Sequence, residues 1–480
     1  MTAEKQNYGK ALVVLTSLFF MWGFITVLND ILIPFLKKMF ELNRFESMMV
    51  QFAFFMAYFI GSLVYFIISA RRGDPISKIG YKNGIIAGLL ISALASVMFY
   101  PAAHFKVFGL FLTALFILAL GFTLLQIAAN PYVALLGPSE TASSRLNMSQ
   151  GFNSLGTTLA PVFGGYLIFH YFAKMGQPLF NGHGRPILTD SGEPLSALGV
   201  QLPYLIFALI FVLLAVLIKF TALPKFSGSA SIQKGAGALK HRHLVLGMVA
   251  IFMYVGAEVS IGSAFINYVG ELLGYPEMEA KSFLAFYWGG AMIGRFLGAI
   301  SLSGLPKQKK YVYMLLASMA TFLLIYGIVY MESGGAFAFG RVAPFILFLI
   351  LNYSAFLLGK SLPGRTLAVF ASIVIILLAL TLIAQGQVAL WTITGIGLFN
   401  SIMWSNIFTL AIKDLKEDTA QGSSLLVMMI LGGAIIPIIQ GAVADALNGY
   451  HYSFFVPIIC YAYIFFYGWK GHTVKEAAGK

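Results

Sequence analysis

Three ionisable residues, Asp30, Glu258 and Arg295, stand inside stretches that are otherwise free of charge. A charged group at hydrocarbon depth is costly, so it survives where it faces a polar pathway or a partner. Burial favours the protonated carboxyl unless a cation or hydrogen-bond donors hold the charged form. Asp30 and Glu258 are therefore each able to carry a proton or to ligate sodium, and Glu258 could equally accept hydrogen bonds from the hydroxyls of a polar ligand. The alternatives are a fixed structural carboxylate at Asp30 and a static Glu258–Arg295 pair. Tyr254 and Gly262 stand four residues either side of Glu258, on the same face of a helix. Amides recur at helical spacing elsewhere: Gln126 with Asn130, then Asn147, Gln150, Asn153 and Thr157, then Asn400 with Trp404. An amide offers a donor and an acceptor together, which suits a polyhydroxylated ligand. Single amides also serve as glue between membrane helices. Trp288 and Trp404 either stack on the apolar face of such a ligand or fill packing gaps. Pro131 follows Asn130 and cannot donate to a helix ladder, so a kink or local unwinding is expected there.

These residues need elements that hold them inside a membrane. The 480-residue chain is 59% hydrophobic and only 10% charged, with mean hydropathy +0.85. Soluble domains carry about 25% charged residues. Fourteen apolar stretches are each long enough to cross the bilayer as a helix. They are placed at 11–36, 47–70, 83–101, 105–136, 144–172 and 201–222, then 243–273, 280–301, 311–331, 342–358, 365–384, 388–412, 421–446 and 451–469. An even number puts both termini on one side. With that side inside, 22 of the 31 Lys and Arg residues fall there and 8 outside, the remaining one being Arg295. This bias places the termini in the cytoplasm, and the net charge of +13 then faces anionic lipid. The basic residues are scattered over short loops and form no nucleic-acid patch. No cleaved signal peptide is expected at the polar start of the chain. Cys460, the only cysteine, reads as a buried inert thiol. No phosphate-cradling loop and no Cys/His metal cluster occurs, and the seven histidines fall near helix ends or in loops, so neither an enzyme nor an ATP-driven pump is expected.

The segment 223–242 is rich in Gly, Ser and basic residues and reads as a flexible linker. It separates an N-terminal bundle, 1–222, from a C-terminal bundle, 243–480. The two halves echo each other. QIAANPYVALLGP (126–138) corresponds to GLFNSIMWSNIFTLAI (397–412), and TLAPVFGGYL (158–167) to AIIPIIQGAV (434–443). Parallel repeats of this kind are typical of transporters, with the site at the repeat interface; chance recurrence of Pro and Gly is the alternative. A duplicated six-helix plan leaves two additional helices, expected within 311–384. The excursion at 173–200 reads as a loose outer loop rather than a lid.

WGFITVLNDILIPF (22–35), LQIAANPYVALLGP (125–138), SRLNMSQGFNSLGTTLAPVFGG (144–165), YVGAEVSIGSAFINY (254–268) and GLFNSIMWSNIFTLAI (397–412) resemble the major facilitator superfamily. More narrowly they resemble its bacterial fucose/galactose/glucose–cation symporters, in a branch with two additional helices. The resemblance implies an all-α membrane protein with two six-helix bundles plus that pair. It also implies alternating access, hexose import driven by a cation gradient, and a monomer in the bacterial inner membrane. ARRGDPISKIGYK (70–82) resembles the superfamily's inner-gate loop, so Arg71, Arg72 and Asp74 are gating candidates, as is Arg295 near the inner end of its span, where its side chain can snorkel. Asp30 matches a family aspartate. Fucose symporters carry a glutamate where this chain has Gln126, and an amide where it has Glu258. Loss of one titratable group and gain of another tilts the cation toward sodium ahead of a proton. The expected ligands for the hexose are Asn29, Gln126, Asn130, Gln150, Asn153, Asn400, Trp288 and Trp404. Asp30 and Glu258 are the cation sites, and no resident cofactor is expected. An uncoupled facilitator or exporter of another polar solute, and a sugar sensor without flux, are the competing functions.

Overall fold

A computed structural model describes residues 8–40, 42, 44–164, 166–167, 171–172, 175–180, 185–188, 194, 196–224 and 234–474. The side chains of 29–38, 44–48 and 51 lie outside that description. The first half contains α1 (Gly9–Met39), α2 (Arg44–Arg72), the short α3 (Pro75–Ile79), α4 (Tyr81–His104), α5 (Phe108–Leu135), α6 (Ala142–Leu159) and α7 (Leu198–Phe220). The second half contains α8 (Arg242–Leu273), α9 (Glu277–Ser301), α10 (Lys307–Glu332), the short α11 (Phe339–Val342), α12 (Phe345–Gly359), α13 (Pro363–Ile383), α14 (Gly386–Asn400) and α15 (Met403–Ala411). It ends with α16 (Thr419–Met428), α17 (Gly432–Ala446) and α18 (Phe455–Phe466).

Twelve of the described spans are long and apolar enough to cross a membrane, with α14–α15 and α16–α17 each forming one of them. The two other expected spans are α6, whose amides lower its apolarity, and the 15-residue α12. Both are nonetheless helical. α6 packs against α1 and α9 inside the protein, so its amides do not meet lipid. The α14–α15 span is the most enclosed, at 94% buried.

Both halves share one packing pattern. α4 packs on α5 and α7; α13 packs in the same way on α14 and α18. Where helices approach most closely, glycine is required. A Cβ on Gly397 would lie 1.9 Å from the Tyr287 carbonyl oxygen, so α14 touches α9 backbone to backbone. Such small-residue contacts are how membrane helices gain dispersion energy without a hydrophobic driving force.

Three local expectations change. The helix α5 runs unbroken through Pro131, and the break falls instead at Ser401–Ile402, between α14 and α15, with no proline present. Asn400 and Trp404 therefore sit on different helical segments and share no continuous stripe. Three carbonyl contacts at the break replace part of the lost ladder: Ser401 Oγ and Asn352 Nδ2 donate to Leu398 O at 2.7 and 2.9 Å, and Arg295 Nε to Ser401 O at 3.2 Å. The described end of the 223–242 segment is docked rather than free. Gly235 N donates to Ala70 O at 2.8 Å, and Ala238 N to Gln421 Oε1 at 3.0 Å. In the excursion at 173–200 the described residues form isolated bridges, Pro178 with Ser196, Phe180 with Pro186 and Leu188 with Pro194.

Gly397→Ala should lower stability by about 1–3 kcal/mol, the usual cost of overpacking. Gly109→Ala, whose new methyl meets open space, is the control. The thermal midpoint in detergent checks this, and equal midpoints would refute the backbone contact.

Candidate functional site

The second bundle holds a buried polar chain built on α8, α9, α14 and α18. Glu258 on α8 is 8% exposed. Its backbone carbonyl accepts the Tyr287 hydroxyl at 3.0 Å. Asn400 Nδ2 donates to that same hydroxyl at 2.9 Å, and the Tyr461 hydroxyl donates to Asn400 Oδ1 at 2.6 Å. Two tyrosines thus hold the Asn400 amide at both ends and tie the end of α14 to α9 and α18. The carboxylate itself is less satisfied: among the described residues Glu258 Oε1 has no hydrogen-bond partner. The Tyr254 hydroxyl lies beside both Glu258 and Arg295 and also lacks a well-formed hydrogen bond. A buried polar atom without a partner is rare enough to call for a reason.

The i, i+4 stripe of Tyr254, Glu258 and Gly262 lies on one helix, α8. Gly262 completes it: a Cβ there would sit 2.5 Å from the Trp288 ring. Trp288 of α9 therefore lies over this stripe, and it keeps 42% exposure. That leaves an aromatic surface next to an acceptor, the pair of features needed to grip a ring with one apolar face and several hydroxyls.

Arg295 does not snorkel to the membrane edge. It is half-buried, with Nε on the Ser401 carbonyl and Nη1 hydrogen-bonded to Ser154 Oγ on α6. The reason is proximity of better partners: the break in the α14–α15 span frees a carbonyl, Ser154 supplies a hydroxyl, and Glu258 supplies opposite charge within electrostatic reach. The guanidinium thus crosses from the second bundle to the first.

In the first bundle Gln126 is buried beside the Tyr58 hydroxyl. Asn130 is 0% exposed, and neither end of its amide has a partner among the described residues. Gln150 is buried, and Asn153 Nδ2 donates to Phe19 O at 2.9 Å, joining α6 to α1. Trp404 is buried, its indole nitrogen has no partner among the described residues, and its ring is stacked on Phe408. Asn29 and Asp30 continue α1, but their side chains lie outside the described residues. Among the described residues no group of three His, Cys, Asp or Glu could hold a metal ion.

The bundles close on each other at the end that carries the 223–242 segment. Ser143 Oγ meets Thr409 Oγ1 at 2.6 Å, Ser144 Oγ donates to Ala299 O at 2.5 Å, and Asn147 Nδ2 to Asn406 Oδ1 at 3.2 Å. Gln421 Nε2 donates to Ser69 Oγ at 3.1 Å. Ser69 in turn donates to Asp74 Oδ2 at 3.2 Å, and the Tyr65 hydroxyl to Asp74 Oδ1 at 2.9 Å. Asp74 also caps α3 through Ser77 N at 2.9 Å. Asp74 thus reaches the second bundle through Ser69. Arg71 and Arg72 are exposed, and no ion pair with Asp74 forms in this conformation, because that carboxylate is already held by local donors. Toward the opposite end the one hydrogen bond between the bundles among the described residues is from the Thr158 hydroxyl to the Met292 sulfur, at 3.8 Å.

Spacing found Tyr254, Glu258, Gly262 and the α6 amides. It missed Tyr287, Tyr461, Ser154, Asn406, Gln421 and Asn352, which are ordinary membrane-helix residues until the fold pairs them. Only Asn406 carried a signal, lying in the segment that repeats the Asn130 motif.

Residues 12–358 match the family model described as Major Facilitator Superfamily. The chain is 42% identical over 475 residues to the glucose/galactose transporter of Brucella abortus biovar 1 (strain 9-941), covering 98% of this chain and 96% of that one. It is 39% identical to a putative glucose/galactose transporter of Helicobacter pylori (strain ATCC 700392 / 26695), covering 98% and 99%. It is 32% identical to the L-fucose-proton symporter of Escherichia coli (strain K12), covering 97% and 93%. The crystal structure of the transporter FucP in the outward conformation matches with a TM-score of 0.73 at 31% identity, covering 96% of this chain and 98% of that one. The chain belongs to the major facilitator superfamily and, within it, to the family of these transporters; it is a membrane transporter and not an enzyme.

Replacing Arg295 by Met should loosen the closed end. In a Cys460→Ser background carrying Ser144→Cys, alkylation should speed up by roughly tenfold, since a hydrogen bond to a charged group contributes about 1.5–3 kcal/mol. Unchanged alkylation would show that Arg295 does not hold the bundles together.

Proposed function

We propose that this member of the superfamily imports a neutral hexose of the glucose or galactose kind together with a cation, by alternating access. The observation that carries the reading is the buried Glu258 carboxylate, whose Oε1 has no hydrogen-bond partner among the described residues, beside an exposed tryptophan face. A cation, a proton or a sugar hydroxyl would complete it. The names of the relatives, glucose/galactose transporter and L-fucose-proton symporter, support a sugar cargo.

In this reading Asp30 and Glu258 carry the cation. Asn29, Gln126, Asn130, Gln150, Asn153 and Asn400 supply paired donors and acceptors to the sugar, and Trp288 and Trp404 supply apolar surface. Asn130 and Trp404 support the assignment because each is buried with polar atoms that have no partner among the described residues and that hydroxyls would satisfy. Asn400, held by two tyrosines, has one amide hydrogen left to offer and a fixed orientation in which to offer it. Sodium is placed ahead of a proton because Gln126 cannot titrate, whereas the added Glu258 can bind a cation without needing a relay partner on α5. The bias of basic residues supports cytoplasmic termini, and the family resemblance supports a monomer in a bacterial inner membrane. The closed end is then the cytoplasmic one, and this conformation is closed toward the cell interior. Arg71, Arg72, Asp74 and Arg295 serve as gate residues. Opening must break the Arg295–Ser154, Ser144–Ala299 and Asn147–Asn406 contacts and exchange them for others. Binding of both cargoes biases that exchange only through contacts that differ between the two states.

Purified protein in liposomes tests this at fixed pH, with and without an inward sodium gradient. The expected result is hexose accumulation with sodium. Accumulation with a proton gradient alone would reverse the order of the cations, and none with either would sink the proposal. Asp30→Asn and Glu258→Gln should each reduce concentrative uptake roughly 5- to 150-fold, the usual size of a coupling between two sites, while sugar counterflow persists. If wild type shows counterflow but never accumulates sugar, the protein is an uncoupled facilitator.

A further inference from the structure

In the second half α13 takes the place that α4 takes in the first, packed on the helices equivalent to α5 and α7. That leaves α10 and α12 outside the duplicated plan. Both lie against the second bundle, α10 on α9 and α12 on α13, α14 and α9. We infer that α10 and α12 are the added pair, and that they act as a brace whose Asn352 positions the break between α14 and α15.

The pair is fastened at three levels. At the closed end Lys310 Nζ donates to Ser301 O at 2.8 Å and to Ser361 Oγ at 2.9 Å, so it ties the start of α10 to the last turn of α9. At the opposite end Arg341 pairs with Glu279 at the start of α9 and lies 5.1–5.8 Å from the rings of Phe337, Tyr275 and Phe283. Between them Phe348 fills the space left by Gly395 on α14, where a Cβ would come within 2.2 Å of its ring. One turn further along α12, Asn352 is 0% exposed and donates to Leu398 O at 2.9 Å.

Leu398 is the residue whose carbonyl the break exposes. Its usual partner is the amide four residues on, at Ile402, which lies in the broken turn. Two side chains stand in: Ser401 from the same chain segment and Asn352 from the added pair. An amide is a poor choice for filling space among apolar helices. Burying it is costly, and its Oδ1 has no partner among the described residues. The hydrogen bond it makes is what accounts for its presence. Two residues beyond Leu398 stands Asn400, the centre of the tyrosine network, and the next carbonyl, of Ser401, holds Arg295. A donor delivered to Leu398 therefore sets the register of the break that presents Asn400 and anchors the guanidinium bridge to the first bundle. Asn352 is a positioning residue: it reaches the site through the backbone of α14.

The transport consequence rests on the proposed sugar function, whereas the structural one does not, and one set of measurements separates them. Full-length wild type, Asn352→Leu and Ser401→Ala are compared by hydrogen exchange and by hexose counterflow. Leucine keeps the volume and removes the donor; Ser401→Ala removes the other donor to the same carbonyl from the opposite side and serves if Asn352→Leu does not fold. Expected are roughly tenfold faster exchange of amides in 398–406 in both variants, with 363–383 unchanged, and counterflow slowed several-fold. Unchanged exchange in 398–406, or faster exchange spread equally over 363–383, would overturn the brace. A wild type that moves no hexose but shows the exchange pattern would sink the sugar reading and leave the brace standing.

Discussion

Arg295 brings a permanent charge, half-buried, to the boundary between two bundles, and the surrounding architecture answers that constraint. Its charge needs acceptors, and they come from three directions: a carbonyl freed by the interrupted α14–α15 span, a hydroxyl on α6, and the Glu258 carboxylate within electrostatic reach. Removing one partner of such a set leaves a half-buried charge less well compensated, which costs more than the net gain from forming the contact. The guanidinium therefore makes the position of α6 relative to α9 and α15 matter energetically, and it does so at the interface between the two bundles. A contact of this kind favours one arrangement over another without adding much to overall stability.

The interrupted helix is the second half of that arrangement. A continuous α14–α15 would bury every carbonyl in its own ladder and offer Arg295 nothing. The interruption exposes two carbonyls: Arg295 on α9 meets that of Ser401, and Asn352 on α12 together with the local Ser401 hydroxyl meets that of Leu398. Close glycine-mediated contacts bring these elements near enough. Gly397 lets α14 press on the backbone of α9, and Gly395 admits Phe348 from α12. Polar satisfaction and small-residue packing thus act on the same few residues, which is why so much of the polar chemistry of the second bundle gathers between Leu398 and Ser401.

The first bundle is organised differently. Its amides lie on α5 and α6 rather than around an interruption, and α5 passes through Pro131 intact. Asn130 and Gln126 are buried by their neighbours, and Asn153 and Asn147 are drawn into contacts with α1 and α15. The repeat seen in the sequence thus produced two helices with related motifs and unlike local geometry.

The residues alone determined that the chain is a membrane-embedded helical protein, because runs of about twenty apolar residues have no other stable form in lipid. They also singled out Glu258, Arg295 and the amides, because polar groups in apolar runs are conspicuous against their surroundings, and helical spacing put Tyr254, Glu258 and Gly262 on one face. Only the tertiary structure decided that α14–α15 is interrupted after Asn400, that Tyr287 and Tyr461 hold that amide, and that Arg295 turns inward to Ser154. Those outcomes depend on which helices meet and at what distance. Hydropathy measures how well each segment tolerates lipid, and carries no information about the partner a carbonyl or a guanidinium will find across a helix contact.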